Sequence, residues 1–318
     1  MIDESRINPN LDKLHRHFDS ALEKYFKGNQ PIPEYFEEVS CYNCGSQEAL
    51  SSSTVSRFRH VRCKRCHMVY VSPRLKSSVI DHLYNEEAYT EFYRIKLIPS
   101  LDYRRNVLAV NKYKQIARYF ARPGKVLDIG SGLGEVLSVF QENDWDCTGI
   151  ELNEFAADYS RRTFGLRVIN KSIYDLGLSQ EYDVIMLWGV LEHLYEPLQM
   201  LREVARLLKD DGLLLLEVPS ADSVLVRYYE RTSRPVDRII EGDRHIMLFS
   251  VQGFAEMTER AGFSPVGVLS NGLDISTLNR LELNNRLSLT EVNELQGLLD
   301  ASLQGDLLRG FFRKRAVR

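Results

Sequence analysis

KVLDIGSGLGEVL, residues 125–137, joins a short apolar strand (Val126, Leu127, Ile129) to Gly130, Gly132 and Gly134 and then to a helical pattern. Glycines at this spacing let the backbone pass close to a ligand and turn sharply into a helix whose first amides face the bound group. The plainer use of the same glycines is tight packing of strand on helix. Two acids favour a ligand. Asp128 stands two residues before Gly130, where a carboxylate repels a pyrophosphate but accepts hydrogen bonds from an ammonium group. Glu151 closes the next strand-like segment, Cys147–Ile150, in a position suited to gripping both hydroxyls of an adenosine ribose. The glycine spacing also differs from the G-x-G-x-x-G of dinucleotide binders.

An adenosine ligand with a cationic amino-acid end and no phosphate is S-adenosylmethionine, and residues 120–270 resemble the class I S-adenosylmethionine-dependent methyltransferases. The resemblance implies an α/β fold, a doubly wound Rossmann-like sheet. It implies that Gly130, Ser131, Gly132 and Gly134 surround the methionine end of the cofactor, with Asp128 near its ammonium group. Glu151 would hold the ribose, Leu152 would pack against the adenine, and Ser172 and Ile173, after a third strand at Leu166–Ile169, would border the adenine ring. YDVIMLWGVLEHL, residues 182–194, matches the fourth strand, with Asp183 structural and Trp188 either at the pocket lip or in plain core. LKDDGLLLLEVPS, from residue 208, resembles the fifth strand, although Asp210-Asp211-Gly212 stands where a Pro-Gly-Gly turn is common. DRHIMLFS followed by VQGFAEMTERAGF resembles the approach to the last long helix.

Four of the five cysteines form two C-x-x-C pairs, Cys41/Cys44 and Cys63/Cys66, with eighteen residues between them. Each short turn can aim two thiolates at one ion, so the spacing suits a tetrahedral, structural Zn²⁺ with no open position for substrate. Thr54–Val61 alternates enough to be a ribbon strand. Arg57, Arg59, His60, Arg62, Lys64 and Arg65 are either a nucleic-acid-reading surface or a solvated surface that offsets the charge of four thiolates. Cys147 reads as a small buried hydrophobe.

The rest of the chain divides around these features. Residues 1–39 form a helical extension with an amphipathic helix at Leu11–Lys27, 40–75 the zinc ribbon, and 76–122 a helical cap in which Tyr103 and Arg104 are pocket candidates. The methyltransferase core follows at 123–270, with helices at Glu135–Glu142, Glu154–Thr163, Pro197–Leu208 and Val251–Ala261. Within it, 220–245 interrupts the strand–helix rhythm with Arg227, Tyr228, Tyr229, Arg231, Arg234 and Arg238 and reads as a substrate lid. No seventh strand is evident after Gly272. Residues 271–318 read as a helical extension, and the basic tail LLRGFFRKRAVR as a frayed or packed terminus, or a short anionic-membrane or RNA contact.

Composition narrows the function classes. In 318 residues, 41 Lys plus Arg against 44 Asp plus Glu give a net charge of -3, which supplies no global attraction to nucleic acid or anionic membrane. No apolar run approaches a membrane span, and the charged N-terminus does not read as a signal peptide, so a cytoplasmic protein is expected. His193, directly after the fourth strand, is the first candidate for a general base and His245 the second; the alternative for His193 is to orient a loop. The ribbon and core together resemble bacterial enzymes of sugar, glycan and secondary-metabolite assembly. That resemblance implies a small-molecule acceptor, and the Arg- and Tyr-rich insert, with Arg231 and Arg234, would suit a phosphorylated or nucleotide-linked sugar through charge-assisted hydrogen bonds and stacking. The alternatives are an RNA methyltransferase docked through the ribbon and a non-catalytic scaffold.

Overall fold

The computed structural model describes residues 2–85, 87–177, 179, 181–234 and 238–315, and in it the apolar runs pair as eleven principal strands. The ribbon supplies β1 (Ala49–Val55), β2 (Phe58–Cys63) and β3 (Val69–Val71). The core supplies β4 (Lys125–Ile129), β5 (Asp146–Ile150), β6 (Val168–Ile169), β7 (Tyr182–Trp188) and β8 (Leu208–Pro219), then β9 (Met247–Leu248), β10 (Phe263–Asn271) and β11 (Leu307–Lys314).

Seven of these strands make one sheet in the order β6-β5-β4-β7-β8-β11-β10, with β11 antiparallel to both its neighbours and the first five strands parallel. Both faces are covered, which explains why the strands read as nearly unbroken apolar runs. Leu127, Ile185, Leu187, Leu214 and Leu216 pack on one side; Val126, Val184, Met186, Leu213 and Leu215 pack on the other. Chain order reverses between β4 and β7, so the crevice for a ligand opens at their carboxyl ends. The helices Glu135–Gln141, Glu154–Phe164, Pro197–Leu207 and Val251–Arg260 fall within one or two residues of expectation. No helix among the described residues is long and apolar enough to cross a membrane.

The C-terminal expectation is corrected. Asp274–Glu282 and Leu289–Ala301 are helices, but Leu307–Lys314 is the missing seventh strand, inserted between β8 and β10 with Leu308, Phe311 and Phe312 buried. The tail is a structural strand as far as Lys314, and residues 316–318 lie outside the described residues. The first helix also ends early, at Leu22; Glu23–Tyr25 tighten into a 3₁₀ turn so that Phe26 can pack edge-on against Phe36 and Phe58. In the ribbon, Thr54–Val61 is not one strand. Ser56 and Arg57 adopt φ of 44° and 74°, and the chain reverses there as a hairpin.

Ribbon and core share a second sheet, of order β9-β3-β2-β1, because the core strand β9 pairs antiparallel with β3. Met68 of the ribbon lies so close to the helix Val251–Arg260 that a Cβ on Gly253 would stand 2.5 Å from its Cγ. The cap is helical from Glu87 to Ala117 apart from two π-helical stretches, Tyr93–Leu97 and Arg104–Ala109. Such wide turns re-aim side chains and are frequent at functional sites.

Candidate functional site

The glycine loop after β4 is bent by its own sequence. Gly130 and Gly132 have φ of +72° and +55°, and a Cβ on Gly130 would stand 2.8 Å from Val190 Cγ2. Gly134 serves packing instead, because a Cβ there would run into Ser160 and Leu166. The amides of Gly130 and Ser131 both donate to the Ile150 carbonyl, at 2.8 and 3.0 Å, tying the loop to the end of β5. Glu151 tightens that tie: its carboxylate accepts from the Gly132 amide and from the Asn153 amide, each at 2.8 Å. Ser131 Oγ is buried without a hydrogen-bond partner and sits against Gly149.

Asp128 is 2% exposed, and its Oδ1 has no hydrogen-bond partner. Burial pushes its carboxyl well above the usual range, opposed by the Lys112 charge and helped by Glu135 and Glu151. A buried acceptor of this kind costs free energy until a donor arrives, and a cationic donor relieves it most. The pair Asp128 and Glu151 therefore fits a ligand with an ammonium end. Leu152 is 67% exposed beside this loop, Ile173 is buried, and Ser172 caps the short turn that follows it.

Trp188 is half-buried, and its ring lies under the Lys112 ammonium, 3.9 Å from the centroid, with the Arg309 guanidinium 5.1 Å away. It is neither a bare lip nor plain apolar core. In register, Trp188, Glu217 and Arg309 form a row across β7, β8 and β11. Lys112 reaches Glu217 at 3.1 Å and Arg309 Nε reaches it at 2.9 Å. Burial alone would raise the Glu217 carboxyl, but Arg309 and then Lys112 pull it down to about 2.

After β7 the chain turns through Leu191–His193, where Glu192 is 2% exposed and burial raises its carboxyl to about 8. Burial, followed by the His245 charge, lowers the His193 imidazole to about 3. The structure brings the two histidines together, with ring centroids 5.0 Å apart. His193 Nδ1 lies 2.9 Å from the Arg244 carbonyl and His245 Nδ1 lies 2.8 Å from the Ile239 carbonyl.

Arg104, a pocket candidate from the sequence, is joined in the cap by a second cation, Lys96, that the linear spacing did not single out. Lys96 and Arg104 each lie on a π-helical stretch, and both are lowered first by burial; Lys96 falls to about 7, pushed further by Arg104. The expected pocket role of Tyr103 is not met, since its hydroxyl accepts from the Asp3 amide at 2.9 Å and Arg6 covers its ring. The described part of the insert is packed as a brace, with residues 235–237 outside the described residues: Leu225, Val226 and Tyr229 are buried with Val55, Val69 and Leu248 of the second sheet. Arg234 pairs with Glu282 at 2.7 Å on the outside, Arg231 is exposed, and Arg238 pairs with buried Asp306.

The four cysteines converge. Cys41 Sγ and Cys66 Sγ are 3.4 Å apart, Cys44 Sγ and Cys63 Sγ 3.5 Å, and none is in a disulfide. Four thiolates at about 2.3 Å from one Zn²⁺ would be spaced by slightly more than this, so the donor set fits the ion. The basic cluster is largely engaged. Arg62 donates to Glu230 at 2.8 Å and to the Ala221 carbonyl at 2.8 Å, Arg59 and Lys64 pair with Glu38 and Glu48, and His60 is buried.

Residues 101–268 match a family model described as a methyltransferase domain. No curated protein matches the chain significantly. Among solved structures, the chain is similar to the 1,6-didemethyltoxoflavin-N1-methyltransferase of Burkholderia thailandensis, solved with 1,6-didemethyltoxoflavin and S-adenosylhomocysteine. The identity is 14%, with 83% of this chain and 99% of that one covered at a TM-score of 0.52. It is also similar to a chain from a complex of the Trm112 methyltransferase activator of Haloferax volcanii with a methyltransferase, at 15% identity over 74% of this chain and 99% of that one, with a TM-score of 0.51. These likenesses concern the fold.

Proposed function

The chain belongs to the methyltransferase-domain family, and from that premise we propose that it uses S-adenosylmethionine to methylate a small anionic acceptor, a phosphorylated or nucleotide-linked sugar or a related intermediate. The observation that carries the cofactor assignment is the buried Asp128 carboxylate, its Oδ1 without a hydrogen-bond partner, beside a left-handed glycine loop. S-adenosylmethionine supplies a methyl group already activated on a sulfonium. The chain's own residues do the rest. Asp128 accepts from the ammonium end, Glu151 holds the ribose while remaining tied to the Gly132 amide, and Leu152 offers an apolar edge to the adenine. The Glu192, His193 and His245 group, at the carboxyl end of β7, handles the acceptor and its proton.

A small acceptor is favoured over RNA because Arg62 of the ribbon is engaged internally and Arg59 and Lys64 already pair with surface carboxylates, whereas Lys96 and Arg104 are half-buried cations close to one another in the cap. The phosphate-binding role first given to Arg231 and Arg234 passes to that half-buried pair. The four-cysteine cluster holds a structural Zn²⁺. Isothermal titration with S-adenosylmethionine and its demethylated product, followed by turnover against fractionated small metabolites and against total RNA, tests the reading. Binding of neither ligand removes it, and turnover on RNA alone replaces the acceptor class.

A further inference from the structure

Glu192, His193 and His245 come from two segments fifty-two residues apart, yet one donor atom of each lies within 4.8 Å of the others. The segments are fastened by the Ile246 amide, which donates to the Glu192 carbonyl at 3.0 Å. Both imidazoles meet a backbone carbonyl through Nδ1, the Arg244 carbonyl for His193 and the Ile239 carbonyl for His245. A carbonyl only accepts, so in each neutral ring Nδ1 carries the proton and Nε2 the lone pair. Metal-binding imidazoles are oriented in the same way.

The carboxylate completes the pattern. His245 Nε2 stands 3.9 Å from Glu192 Oε1, too far for a hydrogen bond and about 0.5 Å beyond the roughly 3.4 Å between two tetrahedral ligands on one ion, a gap that a small inward shift of the side chains closes. Glu192 Oε2 is buried and has no hydrogen-bond partner. The nearest cation on the same segment, Arg244, lies between Glu241 at 2.8 Å and Asp243 at 3.6 Å, so its charge is locally offset; Lys96 also acts on this region from the cap.

We propose that Glu192, His193 and His245 form a divalent-cation site, separate from the four-cysteine cluster. Two imidazoles and one carboxylate suit a first-row ion such as Mn²⁺, Fe²⁺ or Zn²⁺ and leave coordination positions for an oxygen ligand. The site stands on its own geometry. Its use, to hold and polarise an acceptor oxygen at the carboxyl edge of the sheet, rests on the methyltransferase reading.

The test is a titration with Mn²⁺ of the full chain carrying one equivalent of Zn²⁺, enough to fill the four-cysteine cluster alone, followed by loss of the free-ion electron paramagnetic resonance signal. S-adenosylhomocysteine binding is measured on the same samples. Wild type is expected to take up Mn²⁺ at a site weakened at least about tenfold in His245→Ala and in the isosteric Glu192→Gln, with S-adenosylhomocysteine still bound. No Mn²⁺ uptake by wild type, or uptake unchanged in both variants, overturns the proposal. Binding of S-adenosylhomocysteine without Mn²⁺ removes the cation site and leaves the methyltransferase reading standing. Variant-sensitive Mn²⁺ uptake without S-adenosylhomocysteine binding does the reverse.

Discussion

The Val71 amide of the ribbon donates to the Ile246 carbonyl of the core at 3.0 Å, and Ile246 in turn donates its own amide to Glu192. One residue thus links the ribbon to the segment after β7, with His245 next to it in sequence. Further ties run in parallel. Ser250 Oγ donates to the Cys66 carbonyl at 2.5 Å, and Asn43 donates to Glu256 at 2.8 Å. The ribbon is built into the wall of the site.

Removing the Zn²⁺ proposed for the four-cysteine cluster should therefore unfold more than the ribbon. Cys63 is completely buried, so Cys63→Ser both removes a ligand and opens the interface with β9. The expected loss is on the order of 3 kcal/mol or more, read as a lower midpoint in one cooperative thermal transition and matched by strong chelators. Turnover should fall with it. A variant that loses the ribbon signal yet keeps full turnover would show that the ribbon is dispensable for the site.

Asp128→Asn should separate the two ends of the cofactor. A charge-assisted hydrogen bond to a buried carboxylate is worth about 1.5–3 kcal/mol, so S-adenosylmethionine should bind roughly 10- to 100-fold more weakly. Methylthioadenosine lacks the amino-acid end and should bind the variant as it binds wild type. Equal losses for both ligands would place Asp128 elsewhere in the site.

Much of this was legible from the sequence because the decisive signals are local. KVLDIGSGLGEVL reports its strand, loop and helix through neighbouring residues, and the two C-x-x-C pairs report their cluster in the same way. Strand β11 was not legible, because Arg309 makes LLRGFFRKRAVR look like a basic tail and its partner Glu217 lies 92 residues away. The hairpin turn at Ser56 and Arg57 lacks glycine, so the alternation ran on through it. Lys96 was hidden, although Arg104 was already a candidate, because a π-helical stretch shifts the helix phase and 3.6-residue counting cannot anticipate that.

Lys96 should impose a pH dependence on acceptor binding. Its ammonium, pushed down to about 7 mainly by burial, is charged below that pH and neutral above it in the free protein. The Michaelis constant for an anionic acceptor is therefore expected to rise between pH 6 and 8, about the range around this value, and Lys96→Met should flatten the rise. Stability runs with the opposite benefit. The folded state binds the Lys96 proton less tightly than the unfolded chain does, so this residue's contribution improves as pH climbs from about 7 towards the ordinary lysine value of 10.5. Unfolding midpoints of wild type and Lys96→Met should converge at high pH, draw apart as pH falls from 10.5 to about 7, and stay a constant distance apart below that.

Arg309→Met tests whether the C-terminal strand is fastened by charge as well as by its phenylalanines. Glu217 is buried between Arg309 and Lys112, and Gln115 holds the far side of the guanidinium at 2.6 Å. Removing Arg309 leaves a buried carboxylate with one partner in place of two, a change that costs about 3 kcal/mol where such pairs are broken. The sign of the pH effect follows from the depressed carboxyl. Glu217 stabilises the fold fully above its ordinary value of 4.5, and that contribution is lost as pH falls towards about 2. In Arg309→Met the carboxyl moves up, so the acid limb of the stability profile should weaken and shift to higher pH. Lys112→Met should do the same to a smaller extent, since Arg309 exerts the larger pull. Acid unfolding followed by circular dichroism on the three proteins decides it: coincident acid limbs would mean that β11 is held by Leu308, Phe311 and Phe312 alone.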